Sequence, residues 1–176
     1  FKIFGSSPEA QLIVQNGKAE IHPIAGTFRR TGNDEKDAKA AEELAKDPKE
    51  NSEHVMLVDL ARNDLSRNGS EVIVEKNREI QFYSHVIHLV SKVSCKMKKS
   101  TKTFRVVADT FPAGTLSGAP KHKALQLIDR YETTKRNFYG GAIGYMDFHG
   151  NFNHAIIIRS FLSKDHKLHY QAGAGI

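Results

Sequence analysis

The sequence predicts an α+β domain built around antiparallel sheets. Helical patterns lie mainly between residues 33 and 132, whereas the last third alternates short strand patterns with turns, an order that does not suit a parallel, doubly wound sheet. The chain has 176 residues, 39% of them hydrophobic and 26% charged, which is enough for one domain with a buried core. No stretch approaches the roughly 18 uninterrupted apolar residues that a membrane-spanning helix needs.

The basic charge of the chain is local. The formal net charge is +6, with 26 Lys and Arg residues against 20 Asp and Glu residues. Six of the basic residues follow one another without an intervening acid, so the rest of the chain is balanced and lacks the whole-domain basic surface that a nucleic-acid-binding module needs. A nucleic-acid-binding module is therefore the last of our hypotheses. It would be supported by nucleic-acid binding whose affinity falls steeply as the salt concentration rises. The six residues are Lys92, Lys96, Lys98, Lys99, Lys102 and Arg105.

The single cysteine, Cys95, bears on the compartment. It excludes a disulfide within the chain and fits a reducing compartment such as the cytoplasm. Cys95 lies within the lysine run, and nearby cations can lower the pKa of a thiol. No base or second thiol accompanies it, so we interpret it as structural.

The first third of the chain predicts a hairpin and two helices. Asn16-Gly17, the strongest two-residue turn signal, separates strand patterns over Ala10 to Gln15 and Lys18 to Pro23. The polar, alanine-rich segment Asn33 to Lys46 predicts a solvated helix. A second helix is expected from Pro48 to about Leu65, because an aspartate cap, a proline at the first helical position and a glutamate at the third mark its start.

Further along, one strand and two helices precede a β-rich end. The Val-, Ile- and Ser-rich segment His85 to Met97 predicts a strand. Apolar residues recur at helical spacing from Phe104 to Phe111, and that helix must end before Pro112. The turn-forming, glycine-rich segment Pro112 to Lys121 then leads into a helix that ends near Glu132. The strand patterns of the last third are Gly140 to Phe148, Phe152 to Leu162 and Lys167 to Ala172.

Arg159 lies within a strand pattern that is apolar on both faces. Its side chain is therefore expected to be largely buried, and a buried guanidinium requires an anion. From the residues alone, two partners are open. One is a structural Asp or Glu of this chain, and the other is the carboxylate of a substrate held through two hydrogen bonds.

Two carboxylates and a histidine indicate further chemistry. Glu50 and Glu53 lie one turn apart on the predicted second helix, at the edge of its apolar stripe, and such a pair suits a hard cation such as Mg²⁺. One pair makes an incomplete cage, so further oxygen ligands would have to come from elsewhere. His88, in an apolar strand, is either a core histidine or, if it faces the same pocket, a group that transfers protons.

Seven short motifs occur in a fixed order across the whole chain. Each is only moderately specific by itself, but the ordered set is very specific. It resembles the chorismate-binding domain of the anthranilate synthase component I family. The motifs are Ser7-Pro8-Glu9, Pro23 to Thr27, Glu53 to Asp64, His88 to Ser91, Pro112 to Lys121, Tyr139 to Tyr145 and Gly173 to Ile176.

The resemblance implies a fold and an activity. The fold is a four-layer α/β/β/α arrangement, in which two sheets pack together with helices outside, and residues 1–176 would be part of one chorismate-binding catalytic domain. The activity is that of a Mg²⁺-dependent carbon–oxygen lyase, which converts chorismate and ammonia into anthranilate and pyruvate in the first step of tryptophan biosynthesis. Ammonia would come from a glutamine amidotransferase partner, anthranilate synthase component II, or from solution.

The resemblance also implies roles for residues near the metal and the reacting ring. Glu53 matches a Mg²⁺ ligand, and Glu50 matches an outer carboxylate beside it. His88 matches the histidine that moves a proton during pyruvate loss. Thr115 lies where the family contacts the carboxylate on the metal side.

Other matches concern substrate and inhibitor. Tyr139 and Arg159 match the pair that binds the enolpyruvyl carboxylate, which makes Arg159 a substrate-binding residue. Tyr145 matches a wall of the tryptophan inhibitor site that some members have, with a half-buried strand tyrosine as the alternative. The remaining matches are Gly26 and Thr27 in the loop lining the ring pocket, and Gly173, Ala174 and Gly175 as backbone N–H donors to the enolpyruvyl carboxylate.

The chain covers only part of the family's catalytic domain. The family has a further N-terminal region before the position of Phe1, and after the Gly-Ala-Gly-Ile motif it continues into a segment with more acidic Mg²⁺ ligands. We therefore expect this fragment to be inactive by itself, with weak Mg²⁺ binding.

Ala25 separates the branches of the family. Aminodeoxychorismate synthases often carry a lysine at this position that can attack chorismate directly, so Ala25 argues against that branch. Isochorismate and salicylate synthases activate water with a lysine that lies upstream of Phe1, but the loop Pro112 to Lys121 resembles the anthranilate version. Anthranilate synthase is thus the first hypothesis. Another chorismate-utilising enzyme (aminodeoxychorismate, isochorismate or salicylate synthase) is second, and a non-catalytic chorismate-binding fragment is third.

Overall fold

The computed structural model describes residues 1–175; Ile176, the last residue of the seventh motif, lies outside the described residues. Among the helices of the described part, none is both long and apolar enough to cross a membrane. The strands are β1 (Lys2–Gly5), β2 (Ala10–Gln15), β3 (Lys18–Ile21), β4 (Ile24–Arg29), β5 (Gly69–Phe82), β6 (Val86–Met97), β7 (Ala142–Met146), β8 (Phe152–Ile156), β9 (Ser160–Lys164) and β10 (Lys167–His169). The helices are α1 (Asp34–Lys46), α2 (Pro48–Ser66), α3 (Thr103–Thr110), α4 (Gly114–Ser117) and α5 (Lys121–Tyr131).

Two antiparallel sheets organise the chain. In the seven-stranded sheet, β5 pairs along one edge of β6, while β4 and β3 follow one another along its other edge. β3 then pairs with β2, β2 with β8, and β8 with β7. The three-stranded sheet has the order β1-β9-β10. Helices combined with antiparallel sheets confirm the α+β prediction.

Strand β6 separates an apolar side from a polar side. Ile87 and Leu89 pack with Leu44 of α1, and Val93 packs with Leu65 of α2. Since side chains alternate along a strand, His88 points to the other face of the sheet. The helices thus cover the core on one face and leave His88 on the opposite one.

The predicted hairpin and the first two helices are confirmed. Asn16 and Gly17 have φ values of +51° and +78° and join β2 to β3, as a two-residue turn requires. The Asn33 side chain caps α1 by accepting a hydrogen bond from the Lys36 N–H. The Asp47 carboxylate caps α2 in the same way through the N–H of its third residue.

Strand β5 was not predicted from the sequence. Its central part alternates poorly between apolar and charged residues, so it carries no clear strand pattern. The register against β6 shifts three times, and Glu71 and Arg78 adopt positive φ values within it. Bulges of this kind place two successive residues against one, which hides the two-residue period in the sequence.

The apolar face of α3 differs from the sequence pattern. The helix spans Thr103–Thr110 and ends before Pro112, as predicted. Val106 and Thr110 are its buried residues, whereas Phe104 is 71% exposed. The spacing that began at Phe104 therefore predicted the helix but not its buried side.

The predicted strand Phe152 to Leu162 is wrong as a single element. It is divided into β8 and β9, which belong to different sheets. Arg159 lies in the interruption with a φ of +50°, the left-handed region, and this residue redirects the chain from the larger sheet to the smaller one. Ile157, just past β8, exchanges backbone hydrogen bonds with Gly140 and Gly141. The end of β8 is thereby held beside Tyr139.

A buried ion pair joins α2 to the start of α5. Lys121 Nζ lies 2.6 Å from Asp64 Oδ2 and donates a second hydrogen bond of 2.6 Å to the carbonyl oxygen of Thr110. The side chains of Lys121 and Asp64 are 15% and 6% exposed. Burial raises the pKa of Asp64, and Lys121 partly offsets this effect.

We predict that Lys121→Met destabilises the intact protein by about 3 kcal/mol, because it leaves the Asp64 carboxylate buried without its partner. Urea unfolding followed by circular dichroism measures the change, with Lys123→Met, an exposed neighbour on the same helix, as the control. The double variant Lys121→Met, Asp64→Asn should recover part of the loss. Equal stability of Lys121→Met and Lys123→Met would show that the ion pair contributes nothing.

Candidate active site

A bulge in β4 brings Gly26 and Thr27 beside His88. Ala25 pairs with Leu89 and Thr27 pairs with His88, so Gly26 is the extra residue of the bulge. Gly26 has a φ of +75°, and a Cβ built there would lie 2.9 Å from Leu44 Cδ1 and 3.3 Å from Leu89 Cδ1. Glycine is required here because it adopts this backbone conformation without strain and leaves room for Leu44 and Leu89.

The hydrogen bonds of His88 define its tautomer. Its Nδ1 lies 3.1 Å from the Gly26 carbonyl oxygen and 3.0 Å from the Thr27 hydroxyl. Because a carbonyl oxygen only accepts, Nδ1 carries the proton and Nε2 is the basic nitrogen. Burial lowers the pKa of His88, the Gly26 carbonyl opposes this shift, and the positive charge of Arg159 adds to it. The ring is therefore neutral at pH 7, and its Nε2 can accept a proton.

Glu50 and Glu53 lie at the start of α2, where the sequence placed them. Glu50 covers the bulge, since a Cβ at Gly26 would lie 3.3 Å from its Oε2, whereas Glu53 is exposed. Within residues 1–175, no three His, Cys, Asp or Glu side chains form a group that could hold a metal ion. The two glutamates thus offer oxygen donors of the type that Mg²⁺ prefers, but they do not complete a site.

Glu9 is a candidate functional residue that the sequence interpretation missed. It is 8% exposed and accepts a hydrogen bond of 2.9 Å from the Thr115 hydroxyl. Burial raises the pKa of Glu9 to about 7, although the Thr115 hydrogen bond and the charge of Arg159 oppose the shift. A carboxyl group with this pKa can act as an acid near neutral pH. The sequence feature that could have indicated Glu9 is a carboxylate inside the first motif, directly before the apolar strand β2.

A small cavity adjoins Glu9 between α2, α4 and the sheet. Its volume of about 30 Å³ is enough for one or two water molecules. Gln11, which is 4% exposed, lines it with an Oε1 atom that has no hydrogen-bond partner, while its Nε2 donates to the Thr110 carbonyl. Glu9 therefore lines a cavity whose other walls are both apolar, such as Leu57 and Leu60, and polar, such as Gln11 and Thr115.

The expected burial of Arg159 is wrong. The side chain is exposed, because the left-handed turn at this residue ends β8 and carries Arg159 out of the sheet interior. Its positive charge nevertheless opposes the rise in the pKa of Glu9 and adds to the fall in the pKa of His88.

Tyr139 is bound to the Gly173–Gly175 loop. The Tyr139 hydroxyl donates to the Gly173 carbonyl oxygen at 3.2 Å and accepts from the Gly173 N–H at 2.9 Å. A Cβ at Gly175 would lie 3.3 Å from the Thr115 carbonyl oxygen, so the loop also reaches α4. Of the three predicted backbone donors, the Gly173 N–H is thus engaged by Tyr139, and Ala174 and Gly175 complete the loop.

Tyr145 and Cys95 take no part in the contacts described for Glu9, His88 and Tyr139. Tyr145 is 67% exposed on β7, and it does not line the cavity at Glu9. The alternative of a half-buried tyrosine is therefore wrong, and the inhibitor role stays a prediction. Cys95 is buried, and burial raises its pKa, which agrees with a structural thiol.

We predict that the stability of the intact protein falls between about pH 4.5 and pH 7 because of Glu9. The raised pKa means that the folded protein holds a proton that the unfolded chain releases, so this contribution is present below pH 4.5 and is lost as the pH rises through about 7. The loss is on the order of 3 kcal/mol, and Glu9→Gln should remove it. Urea unfolding at pH 5 and pH 8 measures it, with the exposed Glu42→Gln as the control. The same pH dependence in Glu9→Gln would contradict the assignment.

The chain is similar in sequence and fold to several known proteins. Anthranilate synthase component 1 of Mycolicibacterium smegmatis is 48% identical over 178 residues, which cover 100% of this chain and 34% of the relative. The crystal structure of anthranilate synthase component I from Streptococcus pneumoniae matches with a TM-score of 0.86 and 39% identity, covering 94% of this chain and 37% of that one. The menaquinone-specific isochorismate synthase of Escherichia coli, at 23% identity, 90% and 36% coverage and a TM-score of 0.82, shows the fold alone.

The chain spans about a third of the length of the curated relatives that it matches. The family described as chorismate binding enzyme matches it from residue 1 to residue 176. All seven motifs lie within this match, and the α+β fold is shared with solved members. The chain belongs to the chorismate-binding enzyme family.

Proposed function

We propose that this chain is part of an anthranilate synthase component I, which converts chorismate and ammonia into anthranilate, pyruvate and water. One observation carries the proposal: the family motifs supply a buried acid and a buried base, because Glu9 is hydrogen-bonded to Thr115 and His88 is held by Gly26 and Thr27. An acid and a base of this kind suit a reaction that eliminates water and pyruvate. Identity of 48% to anthranilate synthase component 1, against 23% to an isochorismate synthase, favours this branch.

Glu9 and His88 have complementary tasks in this reaction. When ammonia forms a bond to the chorismate ring, the ring hydroxyl must leave as water, and protonated Glu9 is suited to donate that proton. In the second step a ring proton is removed and the ring carbon–oxygen bond breaks, so that the enolpyruvyl group leaves as an enolate and becomes pyruvate by taking up a proton. The Nε2 atom of His88 is suited to accept the ring proton, because its Nδ1 proton is held by Gly26.

The remaining site residues hold the substrate. Arg159 would pair with a substrate carboxylate, next to the loop formed by Tyr139 and Gly173–Gly175. Thr115, bound to Glu9, would keep the acid in place. Glu53, with Glu50 beside it, would help to hold Mg²⁺, and the metal would supply a positive charge for a second substrate carboxylate.

Ammonia supply, inhibition and compartment are further parts of the proposal. A glutamine amidotransferase subunit would deliver ammonia, as the word component in the names of the relatives suggests for those proteins. Tyr145 would contribute to a tryptophan inhibitor site. Buried Cys95 as the one thiol of the chain supports a reducing, cytoplasmic setting for this first step of tryptophan biosynthesis.

We predict that the intact protein makes anthranilate from chorismate, Mg²⁺ and ammonia without a covalent adduct. Ala25 is 7% exposed and stands next to the Gly26 bulge, and its methyl group cannot attack carbon. In Ala25→Lys, the added amine would crowd the site and lower anthranilate output, and desolvation would lower its pKa and make it nucleophilic. Product fluorescence, chromatography and mass spectrometry of the intact protein measure these outcomes.

Ala25→Met separates crowding from amine chemistry, because it adds a chain without an amino group. An adduct in Ala25→Lys and none in Ala25→Met would assign it to the lysine. A covalent adduct on the wild-type protein, or aminodeoxychorismate or isochorismate as its main product, would contradict the proposed function.

We predict that Arg159→Ala weakens chorismate binding by roughly 10- to 100-fold, the scale of hydrogen bonds to a charged group. The fold should persist, because the Arg159 side chain is exposed to solvent. Removing its positive charge should also raise the pKa values of Glu9 and His88. The pH–rate profile should therefore shift towards higher pH. Lys164→Ala, an exposed neighbour in β9, is the control. Unchanged chorismate affinity would exclude Arg159 as a substrate ligand.

A further inference from the structure

Arg136 connects three segments of the chain with one guanidinium group. Its Nε and Nη2 atoms bind the Glu132 carboxylate at distances between 2.6 and 3.1 Å. Its Nη1 donates to the carbonyl oxygen of Leu116 in α4 at 2.7 Å. Its Nη2 also donates to the carbonyl oxygen of Ala174 at 3.0 Å. The end of α5, the helix that carries Thr115 and the Gly173–Gly175 loop are thus joined at a single side chain.

The environment of Arg136 makes this connection rigid. The side chain is 17% exposed, and its Cζ lies 5.8 Å from the centre of the Tyr139 ring. A Cβ at Gly173 would lie 3.2 Å from Nη2, so the loop runs close against the guanidinium. The fork–fork pairing with Glu132 fixes the plane of the guanidinium, and this plane fixes the directions of its other N–H groups.

The Ala174 hydrogen bond determines the direction of one peptide unit. The carbonyl oxygen of Ala174 and the N–H of Gly175 belong to the same peptide group, which is planar and trans, so they point in opposite directions. Because Arg136 holds the carbonyl, the Gly175 N–H is directed away from Arg136 and Glu132. The Gly173 N–H, by contrast, is already used by the Tyr139 hydroxyl.

We propose that Arg136, held by Glu132, is a positioning residue that orients the Ala174–Gly175 peptide so that the Gly175 N–H donates to a carboxylate of the substrate. This inference rests on the proposed function, in which the Gly173–Gly175 loop binds that carboxylate. Arg136 acts through the backbone of the loop and through α4, and it does not itself touch the substrate. The Arg136–Glu132 pair therefore determines how well the site is preorganised for the anion.

The test compares Arg136→Met, Arg136→Lys and Glu132→Gln in the intact protein with Lys135→Met, an exposed neighbour in the same loop. Steady-state kinetics with chorismate, Mg²⁺ and ammonia give separate KM values for chorismate and for ammonia, and calorimetry with chorismate and Mg²⁺ gives the affinity before amination. We expect Arg136→Met to raise the KM and Kd of chorismate about 10-fold or more, the scale of one charge-assisted hydrogen bond. The KM for ammonia should stay unchanged.

The conservative variants give the discriminating result. Arg136→Lys keeps the charge but loses the fork, so it should restore only part of the chorismate affinity, and Glu132→Gln should fall between it and the wild type. If Arg136→Met does not fold, the chorismate affinities of Arg136→Lys and Glu132→Gln decide whether Arg136 positions the loop. If the wild type turns over chorismate but the Arg136 and Glu132 variants have the same chorismate KM as Lys135→Met, the positioning role is overturned. Absence of chorismate binding and turnover in the wild type would instead overturn the proposed function.

Discussion

Backbone pairing along both edges of β6 is the constraint on which the rest of the molecule depends. One edge is paired with β5 and the other with β4 and β3 in succession, so three strands are fixed by a single one. Side-chain alternation then assigns Ile87, Leu89 and Val93 to the helix-covered face. The intervening position, His88, is left for the opposite face. A change in the register of β6 would exchange these two sets.

The bulge at Gly26 turns this regular pairing into a site. It adds one residue to β4 opposite Leu89 and His88, and it presents the Gly26 carbonyl and the Thr27 hydroxyl to the histidine ring. Glu50 covers the same bulge from α2. A single backbone irregularity thus determines the tautomer of the base and lies beside a carboxylate of α2.

Burial shifts the pKa values of the two titratable groups, Glu9 and His88, in opposite directions. Burial raises the pKa of Glu9 and lowers that of His88, so each is driven towards its neutral form. The charge of Arg159 favours the ionised form of Glu9 and the neutral form of His88. The result is a neutral base and an acid with a pKa of about 7, a pair that suits the proton transfers of the proposed function.

Local signals in the sequence determined the β2–β3 hairpin, the capped starts of α1 and α2, strand β6 and the family of the chain. These features depend on neighbouring residues, such as Asn16-Gly17 and the Asp47 cap, and a linear pattern contains them. Only the tertiary structure decided that β5 exists, that Arg159 is exposed at a break between two sheets, and that Glu9 meets Thr115 across 106 positions of sequence. The physical reason is that bulges disrupt the strand period and that desolvation depends on what packs around a group, which a linear sequence does not specify.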